Sequence, residues 1–248
     1  MQTLRVALSC LTILPLGVTG ARSEAHCGRS LRWFPLVGLL IGVILVGAGT
    51  LAAPLAPPAT VAAWIIAAWV LVTGGLHLDG FADVCDGLYG GTTPAQRLRI
   101  MKDPHIGAAA VVGLIILLLL KWTLVSGLPG AVLSRGLCLS PCLGRYAMAL
   151  LAATSPYAGT STGLAAPFVR GASPHDALIA TGIALAASWL LLERNGLVIA
   201  VMVVAGTLVC RAVFRRALGG VTGDVLGAVG EMMEVVVLGA VAMLVGAR

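Results

Sequence analysis

Three aspartates fall within one short stretch, GGLHLDGFADVCDGLYG, at Asp79, Asp83 and Asp86. Offsets of zero, four and seven put them on one face of a helix. Carboxylates on a shared face repel one another. A hard cation seated among them turns that repulsion into attraction. Mg²⁺ or Mn²⁺ takes oxygen ligands and commonly holds phosphate oxygens as well. Gly80 and Gly87 keep the neighbourhood slim enough for a ligand or a second helix to approach. The plainer reading is a solvated acidic loop, and the helical spacing at the end of an apolar run speaks against it.

A second stretch repeats the pattern. In GGVTGDVLGAVGEMMEV, Asp224, Glu231 and Glu234 stand at offsets of zero, seven and ten, near one helical face. Gly219, Gly220, Gly223, Gly227 and Gly230 leave this segment slim. Asp103, in RIMKDPHIG, is placed to join either group. For Glu231 and Glu234 the plainer reading is a polar cap on a membrane span. Arg97, Arg99 and Lys102 follow the first group closely and suit phosphate or anionic lipid. Carboxylates, a divalent metal, lysine and arginine together form the pattern expected for phosphoryl transfer. The histidines are weaker signals. His77 opens the acidic stretch and His105 closes it; for His77 a structural role is equally expected. His26 and His175 read as surface or loop residues. No HExxH, Walker, GxGxxG or triad pattern is present.

The elements that must position these residues are membrane helices. The chain has 248 residues, 59% hydrophobic and only 10% charged, with a mean hydropathy of +1.02. A soluble domain carries about a quarter charged residues. The expectation is an all-α, polytopic integral membrane bundle, one catalytic domain over 1–248. Apolar stretches read as spans at about 34–53, 59–76, 108–125, 132–154, 177–192, 197–213 and 232–245, roughly seven in all. The N-terminal MQTLRVALSCLTILPLG reads as a retained amphipathic or partly inserted helix. Pro15 and Gly17 interrupt it, and no clean cleavage site follows. Lys121, near the end of the third span, is placed to snorkel. Arg135 and Arg145 lie inside the fourth, which marks it for function. The six cysteines form no CxxC pair. Cys138 and Cys142 would share a helix face as small packing residues. The net charge of +6 is scattered between apolar segments, so nucleic acid is not an expected partner.

Charge also orients the bundle. With the N-terminus in the cytoplasm, the inner side holds Arg5, Arg22, Arg29, Arg32, Arg97, Arg99, Lys102, Arg170, Arg211, Arg215 and Arg216. The outer side keeps little beyond Arg194, with Arg248 at the tail. This is a positive-inside pattern. It also collects Asp79, Asp83, Asp86, Asp103, Asp224, Glu231 and Glu234 on the cytoplasmic side.

These blocks resemble a known family. GGLHLDGFADVCDG, RIMKDPHIG and GGVTGDVLGAVGEMMEV are together similar to the adenosylcobinamide-GDP ribazoletransferases, also called cobalamin synthases. LTILP at 11–15 and GRSLRWFPLVGLLIG at 28–42 resemble that family's N-terminal signature, so the likeness runs along almost the whole chain. The resemblance implies a multi-pass enzyme of the bacterial inner membrane, requiring Mg²⁺, with its site facing the cytoplasm. It implies adenosylcobinamide-GDP and α-ribazole, or α-ribazole 5′-phosphate, as substrates and GMP as leaving product. The lipid bilayer is its medium, and a homo-oligomer stays open. Fitted to these residues, Asp79, Asp83 and Asp86 would hold the metal, and Asp224, Glu231 or Asp103 would complete its shell or accept the hydroxyl proton. Lys102 and Arg99 would contact phosphate.

The chain departs from the family pattern in two places. Pro104 and His105 stand where a serine-arginine pair is common, and Gly159 stands at an arginine place. Arg145 and Arg170 are the candidates to replace those arginines. Two other classes share some features. A CDP-alcohol phosphotransferase also uses spaced aspartates at a membrane face, but its AR element is missing here. A transporter would keep its acids near mid-membrane, often at broken helices, whereas these lie at the ends of the expected spans.

Overall fold

A backbone crossing hydrocarbon must satisfy its own polar groups, and a chain this apolar does so by coiling. The computed structural model describes residues 2–14, 23–158 and 163–246. They form α1 (Gln2–Leu11), α2 (Glu24–Ser30), a 3₁₀ turn, α3 (Phe34–Ala52), α4 (Pro58–Thr73), α5 (Leu76–Gly90), α6 (Pro94–Ile100), α7 (Ala108–Gly127), α8 (Gly130–Thr154), α9 (Ala166–Arg170), α10 (Pro174–Leu218) and α11 (Gly223–Leu244). The expectations for Pro15, Gly17, Arg22, Gly159 and Arg248 lie outside the described residues.

The architecture is an all-α polytopic membrane bundle. By length and composition, five stretches among the described residues can cross a bilayer, six when α4 and α5 count as one bent pair. The sequence had suggested about seven. The difference centres on α10, whose 45 residues run through both the expected fifth and sixth spans. At Glu193 the backbone leaves the helix, at φ 48° and ψ −127°. A β-carbon on Gly196 would lie 3.1 Å from Ser188 Cα. Eight residues of straight helix would hold those positions about 12 Å apart, so the chain folds back on itself there.

Contacts sort the connections into two ends. At one end Arg32 Nε donates to Asp176 Oδ1 (2.7 Å), Arg97 donates to the Ala217 carbonyl (3.0 Å) and Arg211 Nε donates to the Thr154 carbonyl (2.7 Å). Tyr157 forms an isolated parallel bridge with Val221 at the same end. At the other, Trp122 Nε1 donates to the Ala59 carbonyl (2.8 Å) and Asn195 donates to the Leu244 carbonyl (3.4 Å). The first end therefore gathers the loops that carry most of the arginines.

The N-terminal helix belongs to that end as well. At about 1.5 Å per residue α1 is too short to cross the bilayer. It buries Val6, Ala7 and Leu11. Trp33 Nε1 donates to Thr3 Oγ1 (3.0 Å), and Ile13 N donates to the Val72 carbonyl (3.0 Å). Cys142 is buried and Cys138 half-buried, as packing residues should be.

Two readings of the sequence are corrected. The last span, expected from about 232, begins at Gly223. Glycine disfavours helix by about 1 kcal/mol per residue, but the glycines here let α5 and α8 approach closely, and that packing outweighs propensity. Lys121 does not snorkel. It points inward and is buried.

Candidate active site

The first acidic face is set by a bend. Gly74 and Gly75 both take left-handed φ, 64° and 68°, which suits residues without a β-carbon. They turn α5 by 91° from α4. Asp79, Asp83 and Asp86 then stand on successive turns of α5. Asp79 is exposed, and the other two are half-buried.

Helix α5 meets the start of α11 at very short range. A β-carbon on Gly80 would lie 2.7 Å from Asp224 Cα, and one on Gly227 would lie 3.1 Å from His77 Cα. Small residues at both contacts permit this approach. It brings Asp224 to the aspartates of α5. Asp83 accordingly sits in the field of three other carboxylates, Asp224 most strongly, then Asp79 and Asp86. The carboxylates of Asp79 and Asp83 have no hydrogen-bond or ion-pair partner among the described residues. Asp224 accepts a hydrogen bond from Thr222, whose hydroxyl also caps α11 by accepting from Val225 N.

Asp86 shares the face but has another task. Its Oδ2 accepts from Gly107 N (2.6 Å) and its Oδ1 from Ala110 N (2.8 Å). It thus caps the start of α7, where the first amides have no partner within the helix. Gly107 is required there, since a β-carbon would come 2.5 Å from Asp86 Oδ1. Each carboxylate oxygen keeps one lone pair.

Asp103 lies on an exposed loop. It accepts from His105 N (3.0 Å) and lies 2.7 Å from His105 Nδ1. The backbone hydrogen bond, then the side-chain one, holds its carboxyl below the usual carboxylate range. Pro104 and His105 therefore fold into a small turn that occupies Asp103.

The basic residues divide by task. Arg97 is structural: its Nε donates to the Gly91 carbonyl (3.0 Å), and its NH1 reaches the last turn of α10. Lys102 and Arg99 are exposed. The charge of Lys102 acts on Asp224, and that of Arg99 on Asp103. Arg170 lies with its guanidinium carbon 5.8 Å from the Tyr157 ring, and its NH1 is 3.7 Å from Glu24 Oε1. Tyr157 was not singled out from the sequence, where its neighbour Gly159 drew notice as the arginine place. Burial, then the nearby Asp224 charge, pushes its phenol above the ordinary range.

Two expected site residues lie elsewhere. Arg145 is fully buried in α8, where it pairs with Glu234 and donates to His77 Nδ1 (3.1 Å). Arginine has no acceptor, so His77 carries its proton on Nε2. Glu231 lies deeper along α11 than Asp224, where Lys121 Nζ donates to its Oε2 (2.6 Å). Neither faces the aspartates, because each is spent on a charge partner inside the bundle.

The donor set suits Mg²⁺ in kind: carboxylate oxygens, with lysine and arginine beside them. Among the described residues no three His, Cys, Asp or Glu side chains stand close enough to hold an ion by themselves. Mg²⁺ does not need such a cage. It commonly binds one or two carboxylates and takes its other ligands from water and substrate phosphates.

Fold and site together define a polytopic helical membrane protein with an acidic, base-flanked face at one end of its bundle. A family model described as cobalamin-5-phosphate synthase matches residues 3–242, and the chain belongs to that family. It is 39% identical over 240 residues to an adenosylcobinamide-GDP ribazoletransferase of Chlorobium phaeobacteroides, covering 96% of each chain. It is 40% identical over 245 residues to the protein of that name from Pseudomonas syringae pv. syringae, covering 96% of this chain and 98% of that one. Another, from Stutzerimonas stutzeri, is 40% identical over 251 residues, covering 99% and 100%. No solved structure matches the chain.

Proposed function

We propose that the acidic face catalyses transfer of the adenosylcobinamide phosphate of adenosylcobinamide-GDP to α-ribazole or α-ribazole 5′-phosphate. The acceptor hydroxyl attacks the cobinamide-side phosphorus. A new phosphate ester forms, the diphosphate bridge breaks, and GMP leaves. The product is adenosylcobalamin or its 5′-phosphate, so the chain is an enzyme of cobalamin assembly. The observation that carries this reading is the convergence of Asp79 and Asp83 on α5 with Asp224 on α11. Unpaired carboxylates gathered against their own repulsion are explained by a cationic ligand.

Asp79, Asp83 and Asp224 are the residues that would hold Mg²⁺. When bound, the ion would neutralise the diphosphate and stabilise charge on the leaving GMP. Asp83 and Asp224 are half-buried, and either is placed to take the hydroxyl proton. Lys102, beside Asp224, and the exposed Arg99 and Arg170 supply cations to the phosphates and the departing nucleotide.

The setting proposed is the bacterial inner membrane, with this end in the cytoplasm. The arginine-rich loops on the same end support that orientation. The reversal at Glu193 supports counting the arms of α10 as separate crossings, which would restore seven. A reporter fused after Asp86 should read as cytoplasmic; an external signal would overturn the orientation. For the reaction, membranes holding the protein are incubated with adenosylcobinamide-GDP, α-ribazole and Mg²⁺. GMP and a corrinoid product should form together. No product above empty membranes, with the protein shown to be folded, would defeat the assignment.

A further inference from the structure

Deeper in the bundle lies a second group of charges that the reaction does not use. Lys121 on α7, Arg145 on α8, and Glu231 and Glu234 on α11 are all buried. Lys121 pairs with both glutamates, and Arg145 with Glu234. Lys121 Nζ also sits 4.3 Å from the centre of the Trp69 ring on α4. Arg145 reaches His77 on α5. Ser140 donates to the Glu234 carbonyl (3.0 Å). Two cations and two anions thus join five helices, with no net formal charge.

The cluster sits beside glycine contacts that add little to fixing register. Helix α11 meets α5 through Gly227 and Gly80, and meets α8 through Gly230 and Gly144. A β-carbon on Gly144 would lie 2.8 Å from Glu234 Cγ. Glycine faces allow close approach but present few knobs to interlock. A slip of one helical turn moves a residue about 5.4 Å. Mg²⁺ needs its ligands near 2.0–2.1 Å, so even a fraction of a turn would separate Asp224 from Asp79 and Asp83. Charge-assisted hydrogen bonds, by contrast, are directional and short.

We infer that the Lys121–Glu231–Glu234–Arg145 cluster is a positioning device that sets the axial register of α11 against α5 and so brings Asp224 to the metal-binding aspartates. None of the four is a catalytic residue, because none faces the acidic group. The inference rests on the metal reading above and predicts a change in metal affinity without loss of fold.

The test uses Mn²⁺ alone as the probe, titrated into the purified full chain in detergent and followed by loss of its free-ion EPR signal. Lys121→Met with Glu231→Gln removes one charge of each sign and leaves Arg145 paired with Glu234. Its melting and elution should match the wild type, while Mn²⁺ affinity falls by about tenfold or more, as for other residues that orient metal ligands. Glu234→Asp keeps every charge but retracts the carboxylate by one methylene, and should weaken Mn²⁺ by a smaller factor. It decides the matter if the double variant does not fold. Wild-type affinity in the folded variants would overturn the inference while leaving the metal reading intact. If the wild type shows no Mn²⁺ binding that Asp83→Asn weakens, both fall.

Discussion

The molecule gathers charge twice along α11, with opposite arithmetic. At its start Asp224 joins Asp79 and Asp83, acids with no ion-pair partner among the described residues. Further on, Glu231 and Glu234 meet Lys121 and Arg145, and every charge has a partner. The open group is unbalanced and reachable from the aqueous end. The inner group is balanced and sealed from water. An uncompensated cluster spends stability to hold a ligand, whereas a compensated one spends desolvation to specify a structure. Residue type alone does not separate the two, since both are built from acids on one helix. The partners do.

The sharpest way to break this contrast is Asp83→Asn. The substitution keeps shape but removes a charge from the open group. GMP release should fall by about 10²–10³-fold, the scale of losing one electrostatic contact to a transition state. Thermal melting should hold steady or rise, because a repulsive charge is gone. Near-normal turnover would remove Asp83 from the proposed metal site. Arg145→Met should invert the pattern. It strips a cation from the inner group and leaves His77 Nδ1 without its donor. Breaking one member of a buried pair costs about 3–5 kcal/mol, which unfolding in denaturant would register. A melting point as high as the wild type would mean that the inner cluster carries no structural role.

The sequence carried one side of this contrast well and the other poorly. Asp79, Asp83 and Asp86 are close in the chain, so helical spacing alone exposes their shared face. Charge asymmetry placed both acidic stretches with the arginine-rich loops; Asp224 does meet α5 beside Gly80, whereas Glu231 and Glu234 pair inside the bundle. The inner cluster escaped notice because its pairs are remote: Lys121 and Glu231 are 110 residues apart. Hydropathy showed a lysine near the end of a span and nothing of what it met. Glu231 was grouped with Asp224 by helical phase, which gives direction around a helix but not depth along it. The last span was started too late because glycine disfavours helix wherever no neighbouring helix is known to pack on it. Tyr157 gave no signal at all, since its role comes from a backbone bridge to Val221.

Asp86 tests the boundary between the two regions, because it shares the aspartate face yet works as a cap. Asp86→Ala should lower stability by about 1.5–3 kcal/mol, the range for hydrogen bonds to a charged group. Hydrogen exchange should quicken at the Gly107 and Ala110 amides, whose acceptors are lost. Asp86→Asn retains one acceptor oxygen and should recover part of the stability. In both variants kcat should fall less than in Asp83→Asn. An equal fall with unchanged exchange would return Asp86 to the metal shell as its main duty.

The smallest effect separates an exposed cation from a buried one. Lys102 is exposed and acts on Asp224 through its charge, so removing it leaves nothing unpaired in the interior. Lys102→Ala should raise KM for adenosylcobinamide-GDP by a few-fold with kcat nearly unchanged, the mark of lost uniform binding. Interactions between solvated charges are screened beyond about 10 Å at 0.1 M salt. The gap between variant and wild type should therefore narrow as salt rises. Salt should not rescue Arg145→Met, whose partners lie out of reach of ions. If salt leaves the Lys102 effect untouched, the lysine is buried against the phosphates during turnover rather than acting on them through solvent.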